Sequence, residues 1–189
     1  MERKGIEMKH EIIETRIEIQ DTDITFEDIY AKTYIPQDYI EDIKQADILV
    51  IPEENFREEG DVLFPETTSE FLDFIRAEIP QGIVADIAIS DEDFRKIELH
   101  SDTVNVATII VNSAFFNIAC GLVASFLYDL AKKYLKKPEE LTAKAKIISE
   151  ETKSKKSKII TYEGPVSGIK DALEQASKEL FKESDNENK

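Results

Sequence analysis

Alternating and helical patterns of apolar residues divide the first part of the chain into short elements. Apolar and polar positions alternate in part over 12–19 (IIETRIEI), which predicts a strand. The apolar run at 46–51 (ADILVI) predicts a buried strand. Between them, Pro36 is placed to begin a short helix, because proline fits the first helical turn. This part of the chain therefore has the order strand, helix, strand.

Helix and hairpin signals follow a charged loop. Thr67 and Glu70 have the spacing of a capping box, in which each side chain bonds the other residue's backbone N–H. Four apolar residues on one helical face come next: Phe71, Leu72, Ile75 and Ile79. Residues 83–89 and 94–99 then alternate on either side of the polar turn 90–93. We expect these two runs to form an antiparallel hairpin.

The segment Thr103–Tyr128 contains no charged residue and is the most apolar part of the chain. It is long enough to span a bilayer as a helix. However, Asn105, Asn112 and Asn117 are spread around that helix, and each amide would need a partner in lipid. The pattern favours a buried central helix over a membrane span. A third interpretation is a β-branched strand over 104–111, followed by a helix capped by Asn112 or Ser113 that runs to Leu135.

The remainder of the chain predicts a second hairpin and a last helix. Residues 143–150 and 157–162 are strand-like and flank the lysine-rich tip ETKSKK. Gly164-Pro165 then precedes an amphipathic helix. Its apolar face comprises Ile169, Leu173, Ala176 and Leu180. The second half of the chain is therefore predicted to be hairpin, long helix, hairpin, helix.

These elements predict an α/β or α+β fold: a mixed sheet with two hairpins, a long central apolar helix and a C-terminal amphipathic helix. We expect a single domain over 11–182, which could divide into 11–80 and 83–182. Residues 1–10 and 183–189 are polar and are expected to be flexible termini. The first residues lack the apolar core of a signal peptide, so we expect a cytoplasmic protein.

The charges are segregated along the chain. The net charge is −16, with −17 in residues 1–100 and +6 in residues 132–158. Overall acidity argues against general nucleic-acid binding, which uses a basic face. The lysine-rich hairpin is the exception, and it should meet an acidic surface on its own first half, on a second copy or on another molecule. The candidate partner-binding residues are Lys153, Lys155, Lys156 and Lys158.

No pattern of catalytic residues stands out. The densest acid group could hold a divalent metal with His100 close by, but acids in a tight turn are common for turn chemistry alone. That group comprises Asp86, Asp91, Glu92, Asp93 and Glu98. The turn at Gly164-Pro165 lacks a phosphate-loop pattern. The single cysteine, Cys120, lies among apolar residues and is interpreted as a buried side chain. We therefore expect no metal and no cofactor.

The sequence favours a non-catalytic interaction or accessory protein that acts through its acidic first half and the lysine-rich hairpin, and a homo-oligomer is one assembly in which these surfaces would meet. Two alternatives stay open. One is a membrane-associated effector that uses 103–128, and the other is a metal-dependent hydrolase built on Asp86, Glu98 and His100. Mimicry of nucleic acid by the acidic first half is a weaker idea, which competition with DNA for a basic partner would test.

Overall fold

The computed structural model describes residues 14–98 and 101–186. The helices are α1 Phe26–Tyr30, α2 Ile40–Ile43, α3 Thr68–Glu78, α4 Phe116–Lys133 and α5 Val166–Asn186, with short 3-10 helices at Gln37–Tyr39 and Ser113–Phe115. The strands are β1 Arg16–Thr22, β2 Ile48–Ile51, β3 Glu53–Glu54, β4 Val62–Pro65, β5 Ala85–Ile87, β6 Lys96–Ile97, β7 Thr103–Asn105, β8 Thr108–Asn112, β9 Thr142–Glu150 and β10 Ser157–Pro165. The mixed α and β content confirms the predicted fold class.

A seven-stranded mixed sheet organises the fold. Its strand order is β1-β10-β9-β8-β2-β5, and β7 pairs with β9 beside β8. A small second sheet has the order β3-β4-β6. Strand β2 pairs antiparallel with β8 and parallel with β5, so the 46–51 run lies inside the large sheet. This is the position expected for a strand that is apolar on both faces.

Both faces of the centre of this sheet are covered. Ile48 and Val50 of β2 belong to the core that packs against α3, α4 and α5. Leu49 and Ile51 face the opposite way, into a second core formed with the segment 26–46. This alternation explains why the ADILVI run has no polar face. The helix predicted at Pro36 is confirmed there as a 3-10 turn that continues into α2.

The apolar segment 103–128 is a strand followed by a helix, so the favoured single helix is wrong and the third interpretation is confirmed. Its β-branched half forms β7 and β8 against β9. Asn105 pairs with Lys144, and Ile109 pairs with Ile147. The first two residues are four apart and their partners are three apart, so the β7–β8 segment contains one extra residue, a β-bulge. The Asn112 side chain then accepts from the Ala114 N–H and caps the turn into α4.

Helix α4 turns its large apolar side chains toward the protein interior. Phe116, Phe126 and Leu127 are at most 2% exposed. The exposed row consists of small or polar residues at a spacing of four: Asn117, Gly121, Ser125 and Asp129. Within the described residues, Ser113–Lys133 is the one helix long and apolar enough to cross a membrane by length and composition. Its outward face is the polar one, which is the arrangement of a helix that packs on a core.

The hairpin predicted over 83–99 does not form. Strand β5 pairs in parallel with β2, and β6 pairs in parallel with β4 in the other sheet. The cause is α3, which returns the chain across the sheet so that β2, α3 and β5 form a parallel crossover. Consequently the hairpin–helix–hairpin–helix order predicted for the second half is also wrong. In residues 14–98 and 101–186, the hairpins are β3–β4 and β9–β10.

The C-terminal predictions are confirmed more closely. Strands β9 and β10 pair antiparallel over nine positions, from Ser157–Glu150 to Pro165–Thr142. Helix α5 begins directly after them, and Ile169 and Leu173 on its inner face are buried. Because α5 ends at Asn186, residues 183–186 continue the helix. The predicted flexible residues 1–10 and 187–189 lie outside the described part of the chain.

Candidate functional site

The lysine-rich tip of the β9–β10 hairpin is a closed loop attached to the body of the protein. The Lys155 N–H bonds the Glu151 carbonyl oxygen at 2.9 Å, and the Glu151 N–H bonds the Lys156 carbonyl oxygen at 2.9 Å. Lys155 itself has a left-handed φ of 56°. The Asn112 side-chain amide also donates to the Thr152 hydroxyl at 2.6 Å. The loop is thereby tied to the end of β8.

Among the candidate lysines, Lys155 and Lys158 contact acids of the protein's own first half. Lys155 Nζ lies 3.4 Å from a carboxylate oxygen of Glu27 and 3.6 Å from one of Glu150. Lys158 Nζ lies 3.7 Å from a carboxylate oxygen of Asp21. The buried Glu150 also accepts from the Phe26 N–H at the start of α1, at 2.6 Å. One counterpart expected for the hairpin, an acidic surface on the same chain, is therefore present.

The acids that follow β2 also have internal partners. Glu53 accepts from Lys146 Nζ at 3.0 Å, and Glu54 accepts from Lys32 Nζ at 3.0 Å. The Tyr34 hydroxyl donates to Glu54 at 2.9 Å, and burial raises the pKa of Tyr34 above its ordinary value. The negative charge of this part of the first half is thus partly neutralised by folding.

The acid group considered for a metal is dispersed. Asp86 accepts from the Arg76 guanidinium at 2.9 Å, on the side of β5. Asp93 accepts from the Ser90 hydroxyl at 2.8 Å within its turn, as turn chemistry predicts. Across residues 14–98 and 101–186, no three His, Cys, Asp or Glu side chains are grouped to hold a metal ion. His100 lies outside the described residues.

The Gly164-Pro165 turn is built for close packing. The Val166 N–H bonds the Leu141 carbonyl oxygen and the Ser167 N–H bonds the Pro138 carbonyl oxygen, so these first donors of α5 are already used. A Cβ on Gly168 would lie 3.2 Å from the hydroxyl oxygens of both Thr15 and Tyr162. A side chain at position 168 would therefore crowd these two hydroxyl groups.

The predicted capping box at the start of α3 is also absent. The Thr67 side chain makes no cap hydrogen bond and donates instead to the Asn105 carbonyl oxygen at 3.0 Å. Glu70 accepts from Lys133 Nζ at 2.8 Å, which joins α3 to the end of α4. Tertiary partners have displaced the local bonds that the spacing predicted.

A groove with a volume of about 1030 Å³ lies between α4 and α5. The Ser177 hydroxyl donates to Asn117, and the Tyr128 hydroxyl donates to the Ser167 carbonyl oxygen at 3.3 Å. These two contacts show that the helices run antiparallel. The groove is lined by Asn117, Cys120, Gly121, Ala124, Ser125, Tyr128, Asp129, Lys132, Lys170, Leu173, Glu174, Ser177, Lys178 and Lys182.

Small side chains on α4 open this groove. On the α4 side the groove is lined by the small residues Cys120, Gly121, Ala124 and Ser125. A Cβ added at Gly121 would meet nothing within 4 Å, so there is open space beside the helix at this position. Burial raises the pKa of the Cys120 thiol to about 12, which leaves it protonated and unreactive at neutral pH. The floor is therefore an inert, largely apolar surface.

Lysines mark both ends of the groove. The antiparallel register places Lys132 and Lys170 near the Tyr128–Ser167 contact, whereas Lys178 and Lys182 lie beyond the Asn117–Ser177 contact. Two acids, Asp129 and Glu174, also line the groove. A protein of net charge −16 thus carries more cations than anions in this groove.

Sequence reasoning missed this groove, although two patterns point to it. One is the row of small or polar residues spaced by four along α4. The other is the exposed set Lys170, Lys178 and Lys182, which share one face of α5. Neither pattern shows that the two faces meet, because that depends on how the helices pack on the sheet. No protein-family model, curated protein or solved structure matches this chain.

Proposed function

We propose that this is a non-catalytic interaction protein that binds an acidic, amphipathic helical segment of a partner protein in the α4–α5 groove. The observation that carries the proposal is an apolar-floored groove of about 1030 Å³ with lysines at both ends, on an otherwise acidic protein. Its lining combines lysines and two acids with small and apolar side chains, which supports binding of an amphipathic ligand.

The shape of the groove favours a helix as the ligand. Two antiparallel helices with small residues between them allow a third helix to approach closely and pack its ridge into the groove. From Lys170 to Lys182 the axis of α5 rises about 18 Å, which matches a helix of about 12–14 residues. The small residues Cys120, Gly121 and Ala124 line the groove where the apolar face of that helix would lie.

The charges favour an acidic partner over a second copy of this chain. If two copies met groove to groove, the lysines at either end would face lysines of the other copy, and this repulsion opposes association. A helix with carboxylates near both ends would instead place opposite charges together. Electrostatic attraction of this kind increases the association rate and selects the partner.

The hairpin lysines remain a second proposed contact, which includes self-association. Lys153 is exposed and available to a partner. Lys155 and Lys158 already have acidic neighbours in the same chain, so a partner would have to compete with them. For this reason the groove, rather than the hairpin, carries the proposal. A cytoplasmic location is part of the same proposal.

A displayed library of helical peptides of about 14 residues, matched to the groove length, tests this function. The library is selected on the wild-type protein and counter-selected on Gly121→Phe, which places a bulky ring in the groove. We expect enrichment of peptides with Asp or Glu near both ends and an apolar stripe between them. Failure to enrich peptides that distinguish the two proteins would overturn the proposal.

A matched pair of charge variants tests the role of the lysines. Lys178→Glu should lower the affinity for the selected peptides about tenfold. Lys153→Glu makes the same change in charge outside the groove and should have a smaller effect on this affinity. Both affinities are measured by fluorescence anisotropy with labelled peptide. Equal effects of the two substitutions would show that net charge, and not the groove, determines binding.

A further inference from the structure

Helix α4 ends in a Schellman turn with an unusual residue at its left-handed position. The Lys136 N–H bonds the Ala131 carbonyl oxygen and the Leu135 N–H bonds the Lys132 carbonyl oxygen, each at 2.9–3.0 Å. The residue in the left-handed conformation is Leu135, with φ 53°. Glycine usually occupies this position because it has no Cβ to clash with the backbone. The fold therefore keeps a leucine where leucine is strained.

The strained leucine contributes no packing in return. Leu135 is 94% exposed, far more than the other large apolar residues on the surface, and its neighbour Tyr134 is 42% exposed. A residue that is strained and exposed stabilises neither the helix nor the core. Together with Tyr134 it forms an apolar tip that is free to contact another molecule.

Lysines flank this apolar tip on both sides. Lys132 and Lys133 precede it, and Lys136 and Lys137 follow it. Lys132 lies 3.3 Å from Asp129 and Lys133 lies 2.8 Å from Glu70, so each of these has an acidic neighbour. Lys136 and Lys137 are exposed, and two exposed acids, Glu139 and Glu140, follow them. The Lys137 N–H donates to the Glu140 carboxylate at 3.0 Å, so Glu140 is turned back toward the chain. The acidic helices α1 and α2 belong to the core on the opposite face of the sheet.

We propose that Tyr134-Leu135 inserts into the headgroup region of an anionic lipid bilayer, with Lys136 and Lys137 against the lipid phosphates. This inference goes beyond the proposed groove function and does not depend on it. An apolar tip of two residues is much smaller than a protein interface, which needs about 20 residues a side. An aromatic ring, an aliphatic side chain and flanking lysines are the combination that interfacial membrane anchors use.

The absence of tryptophan from this chain makes the contact directly measurable. Leu135→Trp introduces a single indole at the tip, and Tyr39→Trp introduces one at another exposed position, 60% accessible in the wild type. On vesicles rich in phosphatidylglycerol, the emission of Trp at 135 should shift to the blue and be quenched by brominated acyl chains. The indole at position 39 should do neither, and phosphatidylcholine vesicles should produce no shift.

Two further variants separate the lysines from the apolar tip. Lys136→Ala and Lys137→Ala, in the Leu135→Trp background, should each reduce vesicle partitioning about fivefold. Leu135→Gly should reduce sedimentation of the otherwise unaltered protein with anionic vesicles while its melting temperature stays the same or rises. The inference would be overturned if the emission wavelength of Trp at 135 did not change with anionic vesicles. It would also be overturned if Trp at position 39 shifted by the same amount. Retention of Leu135→Gly on the vesicles would also overturn it.

Discussion

Reversal of the charge at Lys155 should destabilise the protein, although this residue lies at the tip of a surface loop. Its Nζ lies within 4 Å of carboxylates on both Glu27 and Glu150. The side chain of Glu150 is only 5% exposed, whereas those of Glu27 and Lys155 are 76% and 52% exposed. Lys155→Glu would place a third carboxylate beside these two.

The expected size of the effect follows from the exposure of these groups. An exposed ion pair contributes about 0–1 kcal/mol, so the two pairs of Lys155 together contribute about 1 kcal/mol after solvent screening. Reversal of the charge converts attraction into repulsion of similar size, which brings the loss to about 2 kcal/mol. For a chain of this length, that loss lowers the melting temperature by about 4–8 °C.

Lys153→Glu is the control for this measurement, because the same charge change occurs in the same loop at an exposed residue. Lys153→Glu should change the free energy of unfolding by no more than about 0.5 kcal/mol. The charge swap Glu27→Lys in the Lys155→Glu background should recover part of the lost stability. The difference between Lys155→Glu and Lys153→Glu should shrink in 1 M salt, where the Debye length is about 3 Å. Equal denaturation midpoints for the two variants at low salt would refute the reasoning.

Other substitutions test the core and the groove by denaturant unfolding and thiol labelling. Leu173→Ala should cost about 2–5 kcal/mol as a core truncation, and Ile110→Asp should be at least as damaging because it buries an unpaired charge. Gly168→Ala should destabilise by about 1–3 kcal/mol because its Cβ is crowded, whereas Gly121→Ala has free space and should stabilise by up to about 1 kcal/mol. Cys120 should resist iodoacetamide at neutral pH and react faster as the pH rises toward the thiol pKa of about 12, with rapid labelling in denaturant as the control.

Patterns within a single element predicted the structure well. The apolar run at β2, the helical face of α3 and the hairpin β9–β10 each depend on side-chain periodicity or turn composition over a few residues. The same is true of α5, where Ile169 and Leu173 follow the helical spacing and are buried. In each case the local preference of the chain agrees with its tertiary surroundings.

Predictions failed where the choice of partner is not local. Residues 83–87 look like one arm of a hairpin, yet β5 pairs with β2, about forty residues earlier, because α3 intervenes. Thr67 and Glu70 have capping-box spacing, but their side chains contact Asn105 and Lys133 instead. The long apolar segment divides into two elements because its first half pairs with β9 and its second half packs on the sheet as α4. None of these partners can be identified from the residues beside the element itself.

The contacts of the charged residues also depend on partners that are distant in the sequence, and this affects where a partner protein would bind. The lysine-rich run 151–158 is conspicuous in the sequence, but Lys155 and Lys158 lie against acids of the first half in the folded chain. Most cations of the groove come instead from α5, which carries Lys170, Lys178 and Lys182, whereas Lys132 of α4 is paired with Asp129. In this chain the densest run of lysines therefore makes contacts within the fold. Charges that recognise a partner must remain uncompensated after folding, and they are found by their convergence on one surface. This reasoning favours the groove over the hairpin as the site that selects an acidic partner.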